Sequence, residues 1–238
     1  MSGKLIKVLI VACVSLVLAV VLLGGGYIFL YSPYRVMAEV STPVHAKWQD
    51  LAGQGLSQEA AKGFAEMDKQ ADALGFKPAI IFSIASRTHN EHRLYLSPDS
   101  RTALFASYID RGELGIVYVM SFVTYFKDGA QLYTTNYPST PFVGIPEWMK
   151  MHNFTAASDA AELFKNHSKF LDDMTKTGLK PMLLEPGQVS TVATQFEDKA
   201  AKWRADHGYY KLDKTGQAYS PTYHMALQSV LYGLQNRR

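Results

Sequence analysis

The sequence predicts an α+β protein: an N-terminal transmembrane helix, then a five-stranded antiparallel meander sheet packed by one preceding and about three following helices. Three observations carry this reading. An uncharged apolar run covers residues 8–31. Short segments rich in β-branched and aromatic residues, separated by tight turns, fill residues 77–135. A helical period appears only on either side of that block. Strands segregated in sequence from helices indicate a sheet with helices packed on it, rather than alternating β/α units.

The apolar run, Val8 to Tyr31, holds 24 residues. A helix needs roughly 20 to cross a bilayer core. It is longer than the h-region of a cleaved signal peptide. Lys4 and Lys7 precede it, while Arg35 follows and is balanced by Glu39. The positive-inside rule then puts the N-terminus in the cytoplasm. The expected organisation is a cytoplasmic tail over 1–7, an anchor over 8–31, a linker over 32–43 holding Pro33 and Pro43, and an extracytoplasmic domain over 44–238. The expected location is the bacterial inner membrane, with the C-terminal domain periplasmic or extracellular.

Ser57 reads as an N-cap, and Ala60, Phe64, Met67, Ala71 and Leu74 follow at helical spacing before Gly75. Five strand segments come next, from "PAIIFSIAS" to "AQLYTT". Their connections are too short for a crossover helix, so sequential neighbours pair antiparallel. The fourth segment, near 114–126, is long enough to expect a bulge or bend. Asp128-Gly129 predicts a two-residue hairpin loop. That register sets Tyr125 opposite Leu132 and Phe122 opposite Thr135. Ser158 predicts the cap of a helix over about 159–177, stopped by Gly178. A second helix is expected over about 188–207, with Val189, Val192, Ala193, Phe196, Ala200 and Trp203 on one face. A third is expected from Ser220-Pro221, with Tyr223, Leu227, Val230, Leu231 and Leu234 inward.

Composition excludes several function classes. Apolar residues make up 47% and charged residues 19% of the 238. Net charge is +3, and without Lys4 and Lys7 the 24 basic residues fall to 22 against 21 acidic ones. This is no footprint for nucleic acid, which calls for a clustered basic face. The single cysteine, Cys13, lies in the apolar run. The domain beyond it therefore has no disulfide framework, thiol nucleophile or Cys-based zinc site. No Walker A, G-x-G-x-x-G or G-x-S-x-G pattern occurs, and no cofactor is expected.

Two groups of residues merit attention as sites. "TYFKDGAQLYTTNYPSTP" ends in Thr134-Thr135-Asn136, and His167 sits mid-stripe among Leu163, Phe164, Phe170, Leu171 and Met174 on the helix that follows. A histidine facing a sheet needs a hydrogen-bond partner. Asn136 or a threonine of the hairpin would supply it, and His167, Asn136 and Thr135 are the catalytic candidates. "RTHNEHRLY" places His89 and His92 near a turn as metal-ligand candidates, but without a third ligand no metal site is expected.

The series Phe126, Asp128, Gly129, Leu132, Thr134 and Asn136, followed by Leu163 and His167, resembles a pattern in uncharacterised membrane-anchored bacterial proteins. The resemblance implies location and architecture but no chemistry. The expected function is a membrane-anchored extracytoplasmic binding or accessory domain of an envelope complex, with no recognisable catalytic set. Its expected partners are the bilayer, through residues 8–31, and a membrane or envelope protein. The alternatives are an envelope hydrolase using His167 near Asn136 and Thr135, or a small-ligand or lipid-binding domain.

Overall fold

The structure is a computed structural model. It describes residues 16, 20, 23–39, 42–43, 48–52, 55–84, 89–110, 112, 115–137, 144–157 and 159–235. In chain order the elements are α1 (Ser32–Glu39), β1 (Thr42–Pro43), β2 (Trp48–Asp50), α2 (Gln58–Ala73), β3 (Lys77–Ile84), β4 (His89–Leu96), β5 (Ala103–Asp110), β6 (Ile116–Tyr125), β7 (Gln131–Thr135) and β8 (Met149–Asn153). There follow α3 (Ala160–Lys176), α4 (Val189–Asp206), β9 (Tyr210–Leu212), β10 (Ala218–Pro221) and α5 (Tyr223–Gln235).

The expected five-stranded antiparallel meander is corrected to a seven-stranded mixed sheet, β2 to β8 in sequence order. Neighbours from β2 to β7 are antiparallel, and β8 joins β7 in parallel, Gln131 opposite Met149. The reason is connection length. About a dozen residues after β7 suffice to carry the chain back to the strand's starting end, which a tight hairpin cannot do. A second sheet, β1-β10-β9, has three short strands. Ser220 and Pro221, expected to open a helix, pair in it with Lys211 and Tyr210. α5 begins after Thr222 instead, whose hydroxyl accepts from Met225 N. Tyr223 and Leu231, expected inward, are exposed. β6 keeps a regular register with β5, and the irregularity lies between Pro78 and Ile80.

Strand alternation gives the sheet two apolar faces. On one, Tyr95, Leu104, Ala106, Met120 and Phe122 pack under α2 and α3 through Ala60, Phe64, Met67, Ala71, Ala160 and Leu163. On the other, Phe82, Leu94, Ala103, Val123 and Tyr125 pack under α4 through Val189, Ala193 and Phe196. Ser57 caps α2, its Oγ accepting from Ala60 N at 3.3 Å. Asp159 caps α3, accepting from Glu162 N at 2.7 Å. Ser158 lies outside the described residues. A mid-helix glycine costs about 1 kcal/mol relative to alanine. Gly63 stands in α2 because a Cβ there would lie 1.8 Å from the Tyr118 ring.

The transmembrane anchor and the inner-membrane location are also corrected. No helix among the described residues is long and apolar enough to cross a membrane. Of the expected span, residues 8–15, 17–19 and 21–22 lie outside the described residues, as does Cys13. The expected linker is mostly helical. Tyr27–Tyr31 form a π-helical turn leading into α1. Proline explains the turn. Pro33 has no N–H, so Phe29 O loses its ordinary i+4 donor. Ser32 N and Oγ reach back to Tyr27 O, and the Tyr223 hydroxyl of α5 donates to Phe29 O. π-bulges arise where the i→i−4 ladder is interrupted in this way.

Candidate functional site

His167 is fully buried on the α3 face that meets the sheet. Its Nδ1 lies 2.9 Å from Thr134 Oγ1 and its Nε2 3.0 Å from Thr124 Oγ1. Thr124 Oγ1 lies 2.9 Å from Thr102 Oγ1. All three threonines are buried. Burial, with a smaller contribution from His152, pushes His167 down to about 3. The ring is therefore neutral at physiological pH, with both nitrogens paired. It is a satisfied core histidine, with no side available to a substrate.

The other two catalytic candidates sit apart from it. Thr135 points to the opposite face of the sheet. Its Oγ1 accepts from Ser121 Oγ at 2.8 Å and donates to Met120 O. Asn136 closes the strand end, its Oδ1 accepting from Met120 N at 2.8 Å and its Nδ2 donating to Ala157 O. The expected hairpin register is one residue off. Phe122 pairs with Thr134 and Tyr125 with Gln131. Gly129 N donates to Phe126 O, and Phe126 N donates to Ala130 O. Lys127-Asp128-Gly129 is thus a three-residue loop with Gly129 alone at positive φ, +86°.

His89 and His92 also part company, because residues of opposite parity on a strand face opposite ways. His89 is exposed and its Nε2 contacts Glu91 Oε1 at 2.8 Å. Glu91 is buried and also accepts from Ser57 N, at the mouth of α2, where a carboxylate suits the helix dipole. His92 lies on the other face. The two cannot share an ion.

A different set converges on His92. Its Nδ1 lies 2.8 Å from Ser107 Oγ and its Nε2 2.9 Å from Asn90 Oδ1. The ring stacks on Phe82, centroids 5.0 Å apart. Asn90, His92 and Ser107 keep 7%, 9% and 8% of their surface, against 0% for His167. Burial pushes His92 down to about 4, opposed by the nearby Glu91 carboxylate. Two signals place the set. Asn90-x-His92 alternation puts both side chains on one face, and the connection over 97–102 pairs Leu96 with Ala103 and so His92 with Ser107. Ser107 stands in no G-x-S-x-G pattern, and it comes beside His92 only through the pairing of β4 with β5.

α2 is pinned to the same sheet from its other side. Arg93 Nη1 and the Tyr95 hydroxyl both donate to the Asp68 carboxylate.

No family model, no curated protein and no solved structure matches this chain.

Proposed function

We propose that the protein works by binding, as an accessory domain that docks a protein partner through the aromatic surface of its N-terminal helical segment. One observation carries the reading. Tyr27, Phe29, Leu30, Tyr31 and Tyr34 keep 49–70% of their surface exposed. They stand on a segment that is held in place rather than dangling. α1 packs on α5 and on β10, Pro33 is buried, and Tyr223 holds the Phe29 carbonyl. Exposed apolar clusters of this kind mark interaction surfaces. Tyrosine and phenylalanine are enriched at interface cores because they bury large area with few rotors. The hydrolase reading built on His167, Asn136 and Thr135 finds no support in an enclosed imidazole and two backbone-bonded side chains.

The test is co-purification of the C-terminally tagged chain from a native extract, with partners identified by mass spectrometry. The reading expects a stoichiometric protein partner, lost in a Tyr27→Ser, Phe29→Ser, Tyr31→Ser triple variant that keeps the parent thermal melt. A chain that purifies alone, or a partner retained by the triple variant, overturns it.

A further inference from the structure

We propose that Ser107 is an activated nucleophile, with His92 as its base and Asn90 as the group that orients His92, and that it accepts the acyl group of a small apolar carboxylic ester and passes it to water. The site is independent of the partner-docking surface and rests on different residues.

Hydrogen-bond polarity fixes the protons. Asn90 Oδ1 accepts from Ile84 N at 2.8 Å, and Asn90 Nδ2 donates to Ile84 O at 3.0 Å. Backbone groups have fixed donor and acceptor roles, so the amide cannot be turned over. The atom facing His92 Nε2 is therefore an acceptor, and Nε2 must carry the ring proton. A neutral imidazole then presents a lone pair at Nδ1. Ser107 Oγ, 2.8 Å away, donates its proton to that lone pair. Nucleophile, base and orienting group in hydrogen-bond series are the arrangement that activates a serine on unrelated folds.

The chemistry closes without a cofactor. Ser107 Oγ bonds to the ester carbonyl carbon while its proton passes to His92 Nδ1 and the carbonyl π pair moves to oxygen. The carbonyl re-forms, the bond to the alcohol oxygen breaks, and that oxygen takes the proton from Nδ1. An acyl-serine and an alcohol result. Water then attacks the acyl carbon, gives its proton to Nδ1, and the acid departs as Ser107 recovers the proton. Burial keeps His92 unprotonated through neutral pH but makes it a weak base, so turnover is slow. The surroundings set the substrate class. Val119 pairs with Ser107, and Phe82 lies against the imidazole. The three polar side chains reach the surface only through the small exposed fraction given above, which restricts the proposal to a small acyl group.

The full chain is incubated with p-nitrophenyl acetate and mapped by peptide mass spectrometry. The expected result is acetyl on Ser107, forming about 100-fold more slowly in His92→Gln and at the parent rate in His89→Ala, on the opposite face. A Ser107→Cys variant provides a second reading in a near-isosteric side chain. Iodoacetamide should alkylate position 107 in the parent background and much more slowly with His92→Gln added. Absence of acetyl at Ser107 together with an unreactive Ser107→Cys thiol overturns the proposal. So does acylation that is indifferent to His92→Gln.

Discussion

Nδ1 of His167 lies 2.9 Å from Thr134 Oγ1, and neither residue keeps any exposed surface. The bond joins α3 to β7, next to the edge strand β8, with Thr124 of β6 taking the other ring nitrogen. It is a structural bond, and its removal should be read in stability rather than in activity. His167→Leu should cost about 1–2 kcal/mol, because it strands the buried Thr134 hydroxyl, while Thr124 keeps Thr102. Adding Thr134→Val should cost less than the sum of the two single changes, since an unpaired hydroxyl leaves with its partner. Urea unfolding of the four members of the cycle measures this.

Acid should unfold the protein through its buried histidines. Burial holds His167 near 3 and His92 near 4, both below the ordinary 6.5. Between these values the unfolded chain binds protons that the folded chain refuses, so stability rises with pH. The contribution is fully present above about pH 6.5 and is lost as pH falls toward 4 and then 3. Each histidine contributes a slope of about 1.4 kcal/mol per pH unit in that window. His167→Leu should make the pH dependence of the unfolding free energy, read from urea titrations, shallower by about that amount. An unchanged slope would refute the assignment.

Asp68 should matter more than an exposed carboxylate. It accepts from both Arg93 and Tyr95 and ties α2 to β4. Asp68→Ala leaves a guanidinium and a buried phenol without their partner. The expected loss is about 1–2 kcal/mol, discounted because Asp68 is part-exposed. Asp68→Asn should recover part of it, since the amide oxygen still accepts. Thermal melts of the two variants give the comparison.

The hairpin glycine shows how far the sequence could be read. The five central strand segments stand out as runs of β-branched and aromatic residues between tight turns. Their register at residues 125–131 does not. Asp-Gly suits both a two-residue loop and a three-residue loop with a bulge, and the two differ by one residue in every later pairing. That slip moves Thr134 from beside Val123 to beside Phe122. Strands β2, β8, β9 and β10 are short and polar, and are formed by tertiary pairing that local pattern does not encode. The Asn90-x-His92 alternation was visible, but only the sheet register brings Ser107 opposite.

Gly129→Ala should therefore destabilise by about 1–2 kcal/mol, because φ is +86° there. Gly129→Asn should cost less, since asparagine tolerates this region better. If the loop were instead two residues long with positive φ at Asp128 as well, Asp128→Ala would be the costlier change. Denaturant midpoints of the three variants decide it.

The state of His92 is most directly read from its own ring nitrogens. Two-bond 1H–15N spectra of the uniformly labelled chain, titrated from pH 7.5 to pH 4.5, report which nitrogen holds the proton. The expected result is a neutral ring protonated at Nε2, with Nδ1 bare and facing Ser107, that begins to charge only toward the acid end of this range. A proton on Nδ1, or a ring that becomes charged near pH 6.5, would contradict it and remove Ser107 as an activated hydroxyl.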